Sequence, residues 1–168
     1  MNLVNSKFIN SWILKNQGAL SRRGAKFKNM SDSRGIRNCN PLNIRKSADR
    51  WQGLCTLQED REFFRFVSME YGWRAAFVIL CRTYYGKYGL KTIRDLVSRW
   101  APAKENNTEA YIRHVSDYTG ISPDKVLGSP QEHPAQWLLI GYAMAVVECG
   151  KALPVVPMLR GFALANPN

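Results

Sequence analysis

Glu148 stands at the last turn of the most apolar stretch of the chain, AQWLLIGYAMAVVECG over residues 135–150, and is its only acid. A carboxylate there meets two unfavourable terms. The C-terminus of a helix carries partial negative charge, and apolar surroundings disfavour ionisation. Both favour the protonated form, which is the condition a general acid needs near neutral pH. A glycosidase-type mechanism also asks for a second carboxylate or a positioned water. Glu59, Asp60 and Glu62 offer the carboxylate, and Asp60, placed just before the anchoring pair Phe63 and Phe66, has the most fixed surroundings. Taken singly, the plainer reading of each is favoured: Glu148 as an exposed or Arg-paired glutamate at a frayed helix end, Asp60 as an ordinary turn acid.

Around these two stand side chains that could bind a ligand. The segment IRNCNPLNIRKS, residues 36–47, is dense in Asn and holds Pro41, which forbids a regular helix. Its Asn40 and Asn43 offer both donors and acceptors, and Arg37 and Arg45 add fixed donors. Glu70 falls in the first turn of a helix, where negative charge is favourable; it reads first as structural and second as substrate-binding. Glu105 lies in the loop before a helix and reads as a loop organiser, with a cleft role as the minority case. Tyr71, Tyr111, Trp51, Trp73 and Trp100 lie outside the apolar runs. Such rings suit sugar C–H faces, although most rings of this kind are core. His114 and His133 are the only histidines, and His114 near Asp117 reads as a surface group. No phosphate loop, dinucleotide fingerprint, nucleophile elbow or paired-histidine zinc motif occurs. Cys39, Cys55, Cys81 and Cys149 form no C-x-x-C pair, so neither a metal site nor a cofactor is expected, and four reduced, mostly buried thiols are.

The elements that must position these groups are mostly helices. Val4, Phe8, Ile9, Trp12 and Ile13 give a short amphipathic helix over 3–14, followed by a basic linker over 15–35. The run FFRFV after Trp51 and Gly53 suits a small β-hairpin region. Ser68 opens a largely buried helix that ends at Gly86 or Gly89. Further helices are expected from Thr92 to Trp100, from Thr108 to Gly120, briefly at Ser122-Pro123-Asp124, and from Pro134 to Gly150. A last turn around Met158 to Leu164 closes the chain. The division is an N-terminal helix and linker over 1–33 and one domain over 34–168.

Bulk charge narrows the partners. The 168 residues carry 24 Lys+Arg against 13 Asp+Glu, a net charge of +11. Such a protein is drawn to polyanions, whether nucleic acid, anionic lipid or the polymers of a bacterial wall. No apolar run approaches the roughly 18 residues of a membrane span. Residues 1–14 lack the basic start, continuous apolar stretch and small-residue site of a secretory signal. If the target is the wall, something else delivers the protein.

The blocks RGIRNCNPLNIR, WQGL, FFRFVSMEYGWRAAF and LKTIRDLVSRWAPAKENNTEAYI resemble a phage and prophage family of virion structural and lysozyme-like proteins. The family pattern runs R-N-N-N-P-G-N-I-R, W-x-G, an Asp before F-x-x-F, E-x-G-x-R-A and W-A-P-x-x-E-N-x-T-x-x-Y, and the resemblance covers roughly residues 34–150. Cys39 stands for Asn and Leu42 for Gly, and the second departure questions the turn at Asn43. A weaker resemblance is to the wall-cleaving glucosaminidases of the lysozyme superfamily. These carry a helix ending in a catalytic Glu, then an Asn-rich loop, a hairpin and an F-x-x-Y-x-S segment. NPLNIR and FRFVS are similar to the later parts in order, but no Glu precedes them. VVECG, similar to the helix-end Glu, comes last. The resemblance thus implies a mainly α (α+β), lysozyme-like helical domain with a small β-hairpin region in circularly permuted order, Glu148 standing beside the Asn-rich loop.

What the resemblance implies of function is cleavage of the peptidoglycan glycan strand, of lysozyme, glucosaminidase or lytic transglycosylase type. Glu148 would be the acid and Asp60 the catalytic partner. Arg37, Asn40, Asn43, Glu70, Tyr71, Glu105 and Tyr111 would hold substrate. The alternative is a non-catalytic wall-binding or structural protein of a phage-like particle. A nucleic-acid binder is the third and least favoured, for want of a recognition element. The implied partners are peptidoglycan and other phage or secretion-system proteins. The implied places are the bacterial cytoplasm or a phage particle, with action in the periplasm or wall after delivery.

Overall fold

The computed structural model describes residues 32–103 and 107–166, and the expected helix over 3–14, most of the basic linker and Glu105 lie outside them. The fold is mainly α. A single turn, α1 (Arg34–Arg37), opens the described chain. It takes in the last two linker residues and the first two of the Asn-rich segment. The segment then runs irregularly through residue 47, as its Asn and Pro content requires.

Ser68 precedes α2 (Met69–Phe77), which passes directly into a π-helical stretch, Val78–Lys87. The expected single helix thus changes its winding halfway, and Gly89, at φ +67°, turns the chain out of it. Next comes α3 (Ile93–Trp100), closed at its start by a reciprocal pair: Thr92 Oγ1 accepts from Asp95 N at 3.0 Å, and Thr92 N donates to Asp95 Oδ2 at 3.1 Å. It stops before Pro102. In α4 (Thr108–Thr119), Asn107 caps the start and left-handed Gly120 the end. Ser122-Pro123-Asp124 forms a turn and not a helix, held by Lys125 N donating to Ser122 O at 3.1 Å. Pro123 sits where a turn uses it equally well.

The centre of the described fold is α5 (Pro134–Cys149), ended by left-handed Gly150. Its Trp137, Ile140, Ala143, Met144 and Ala145 have no exposed surface. A helix apolar on all sides must be enclosed on all sides, and α1, α4, the π stretch and α6 (Val155–Ala165) all pack on it. The last helix is longer than the single turn expected. Pro157 does not break it, because it lies in the first turn, where backbone N–H groups have no helical acceptor. It packs on α2 at a close approach: a Cβ on Gly161 would stand 2.4 Å from Trp73 Cβ and 2.8 Å from the Glu70 carbonyl oxygen. Among the described residues no helix is long and apolar enough to cross a membrane.

The expected β-hairpin region is present only as two isolated antiparallel bridges, Arg45 with Phe63 and Leu54 with Phe66. Side-chain amides take the place of a ladder. Gln58 accepts from Arg65 N at 2.8 Å and donates to Arg65 O at 2.7 Å and Cys55 O at 2.9 Å. Asn40, wholly buried, accepts from Ile44 N at 2.8 Å and donates to Ile44 O at 3.0 Å and Phe64 O at 2.9 Å. These bonds satisfy the backbone without extended pairing. All four thiols are free, Cys81 and Cys149 buried and Cys39 and Cys55 half-buried.

Candidate functional site

Glu148 is half-buried at the end of α5 and faces a cleft of about 540 Å³. Three side chains from three distant segments donate to its carboxylate. Trp100, the last residue of α3, gives its indole N–H to Oε1 at 3.1 Å. Tyr111, in the second turn of α4, gives its hydroxyl to the same oxygen at 3.1 Å. Asn43 gives Nδ2–H to Oε2 at 3.1 Å and to the Glu148 carbonyl oxygen at 3.2 Å. One amide therefore caps the open carbonyl end of the helix and holds its terminal acid. An ionised carboxylate offers about four acceptor sites. Donors among the described residues take three of them, two on Oε1 and one on Oε2.

Asn43 adopts φ +49°, and Cys39 φ +51°, whereas Leu42 is not left-handed and is fully buried. The Leu42 departure from the family pattern thus leaves the turn intact. The costlier departure is Cys39, since Asn tolerates the left-handed region better than Cys does. Asn43 Oδ1 is buried without a partner. Turning the amide over would set that oxygen against the carboxylate and the carbonyl, so the unpaired acceptor is the lesser cost. The hydroxyl of Tyr111 stays protonated far above its ordinary range, chiefly through burial and then through the facing Glu148 charge, and so remains a donor.

Aromatic and aliphatic walls complete the cleft: Phe63, Tyr84 and Trp100, with Ile44, Ile79 and Val147. The rings of Tyr84 and Trp100 meet edge to face, 6.3 Å apart. The π stretch brings Ile79 and Tyr84 to this wall. Arg45 lies at the same cleft.

Of the residues singled out in the sequence, Glu148, Asn43, Tyr111, Trp100 and Arg45 meet here. Asn40 is beneath the loop and spends its amide on backbone. Arg37 is exposed on α1. Glu70 and Tyr71 border a separate open depression with Arg160 and Leu164 of α6, and Glu70 stands 3.7 Å from Arg160. Ser68 and the helix N-terminus hold Glu70 below the usual carboxylate range. Tyr84 and Phe63 are cleft residues that the sequence does not mark as such. Spacing does not separate them from core aromatics, and the fold alone assembles them.

Asp60 does not line the cleft. It accepts five bonds: two from Arg34 at 2.7 Å each, one from Asn38 at 2.8 Å, and backbone N–H groups of Glu62 and Phe63 at 2.9 Å each. Arg34, foremost, holds its carboxyl far below the usual carboxylate range. A group whose folded pKa is depressed contributes stability that is complete above its unfolded value, about 3.9, and lost as pH falls below it. Asp60→Asn is therefore expected to lower stability at pH 7 by about 2 kcal/mol. It should also flatten the acid limb of the stability curve, both read from urea midpoints between pH 7 and 2.5. An unchanged acid limb would show that Asp60 is not ion-paired in solution.

Among the described residues no group of His, Cys, Asp and Glu is arranged to hold a metal ion. No protein-family model matches the chain. Over 106 residues it is 43% identical to Protein P5 of Pseudoalteromonas phage PM2, a stretch covering 61% of this chain and 65% of that protein. The chain thus spans a little under two thirds of the length of this phage relative.

Proposed function

We propose that the chain is a component of a phage particle whose cleft engages the glycan strand of bacterial peptidoglycan. The phage relative supports the first half of this reading. The second rests on one observation: a half-buried carboxylate, gripped by Trp100, Tyr111 and Asn43, beside an aromatic-walled cleft. Aromatic faces take the C–H surfaces of sugar rings, and a fixed acceptor takes their hydroxyl and amide hydrogens. The lysozyme-like fold in permuted order belongs to this proposal. Its spatial requirement is that the Asn-rich loop stand beside the helix-end Glu, and the 3.1 Å contact between Asn43 and Glu148 meets it.

Cleavage of the strand is a second reading, favoured by a carboxylate held at the cleft with one donor among the described residues on Oε2. A proton carried there would pass to the glycosidic oxygen as the C1–O bond breaks. Glu148 would then recover a proton from the attacking water, or from a hydroxyl of the strand itself. Among the described residues lining the cleft, Glu148 is the one carboxylate, and Asp60 is committed to Arg34. The intramolecular route of a lytic transglycosylase, which needs one acid, therefore suits the geometry better than a two-carboxylate hydrolysis.

Co-sedimentation with isolated sacculi in 0.5 M salt, which screens the non-specific attraction of a basic chain, tests the binding reading. The wild-type chain is expected to sediment with the sacculi, and failure to do so overturns it. Release of soluble fragments by the wild type, abolished in Glu148→Gln, supports cleavage. Sedimentation without release overturns cleavage and leaves binding.

A further inference from the structure

Phe63, at the wall of the cleft, lies between two guanidinium groups. Arg34 Cζ is 4.4 Å from the ring centroid and Arg45 Cζ 5.4 Å. The two cations differ in what else they hold. Arg34 gives two bonds to Asp60 and one to Glu62, so its charge is neutralised within the fold. Arg45 is exposed, borders the cleft, and pairs with no carboxylate among the described residues. Its backbone is nonetheless fixed. Arg45 and Phe63 form an antiparallel bridge, flanked by Lys46 N donating to Glu62 O at 2.7 Å and Phe64 N donating to Ile44 O at 3.0 Å. A guanidinium resting on a ring face keeps its N–H edge for a planar anion, bound through two parallel bonds.

The cleft is thus divided in charge. Its Glu148 region presents a carboxylate that accepts hydrogens and repels anions, and its Phe63 side presents a cation that no described carboxylate pairs. A ligand that fits both has a neutral hydroxyl-bearing body and an acidic substituent at one side. We infer that Arg45 is a specificity-determining residue, reading a carboxylate on the ligand while the aromatic walls and Glu148 hold its neutral ring. This rests on the glycan-strand reading. It means that muramic units whose lactyl carboxylate is free, as in strands stripped of their stem peptides, are taken in preference to plain N-acetylglucosamine units.

Two oligosaccharides of equal length test it, titrated calorimetrically against the full chain: a neutral N-acetylglucosamine oligomer and an alternating oligomer whose muramic units carry a free lactyl carboxylate. The wild type is expected to bind the acidic oligomer about five-fold more tightly. Arg45→Gln should bring the two affinities together without weakening the neutral one, and Arg45→Lys should keep part of the preference as a point charge. A preference that survives Arg45→Gln, or equal wild-type affinities, overturns the assignment and leaves the glycan reading standing. Binding of neither oligomer overturns the glycan reading and this inference with it.

Discussion

Gly72→Ala is expected to lower stability by about 3 kcal/mol or more, read as a drop in the urea midpoint. Helix propensity alone gives the opposite sign, since alanine in a helix interior is favoured over glycine by about 1 kcal/mol. Packing decides the outcome. A Cβ on Gly72 would stand 1.9 Å from the Cys39 carbonyl oxygen and 2.8 Å from Pro41 Cδ. Carbonyl and proline ring belong to the Asn-rich loop itself, so no side-chain rotation relieves the clash, and α2 or the loop must move by more than an ångström. Gly86→Ala is the control. Its Cβ would meet only Cys81 O, at an ordinary 3.5 Å, and this variant is expected to be neutral or more stable by up to about 0.5 kcal/mol. Equal midpoints for the two variants would show that the loop does not press on α2 as described.

The second large effect is expected at Asn43. Asn43→Gly keeps the left-handed backbone at no steric cost and removes both donated bonds, one to a charged acceptor. A loss of about 2–3 kcal/mol follows from those bonds. Asn43→Ala removes the same bonds and adds the strain of φ +49° on a residue with a Cβ, which costs about 1 kcal/mol more. The ordering wild type, then glycine, then alanine is the informative result, because it separates the amide's bonds from its backbone conformation. Alanine no worse than glycine would show that the left-handed turn is absent in solution. Both variants leave the Glu148 carbonyl without its Asn43 donor, so local amide exchange at residues 146–150 should rise in both.

Helices whose ends carry a chemical signal are legible in the sequence alone. Thr92, Thr108, Gly120, Pro134 and Gly150 all mark real boundaries, because capping is decided by residues within a turn of one another. Where a signal serves two structures, pattern does not decide between them. Ser122-Pro123 suits a helix start or a turn, and here it makes a turn. Pro154 and Pro157 have the character of breaks, yet the helix begins between them. The hairpin departs from expectation for a different reason. Alternating aromatics mark the right segment, but Gln58 and Asn40 supply bonds that strands otherwise exchange, and an amide's choice of partner is not a periodic property.

The candidate site divides in the same way. Motif order alone suggests that Asn43 stands near Glu148, and the two are in hydrogen-bond contact. Asp60 stands out in the sequence for its fixed position. Its position is indeed fixed, but by Arg34, 26 residues away, and that bond occupies the carboxylate. Nothing short of the fold shows this. Glu70 and Tyr71 group with the other polar candidates in the sequence because α6, with which they border a depression of their own, reads there as a single turn.

The contact between Asn43 and Glu148 joins residues 105 positions apart, and this has a bearing on timing. During synthesis the loop is made early and the acid late, so nascent chains lacking the α5 segment carry an unattended Asn turn and no acid beside it. Closing so long a loop is slow compared with forming the local helices between. The cleft is then among the last features to mature.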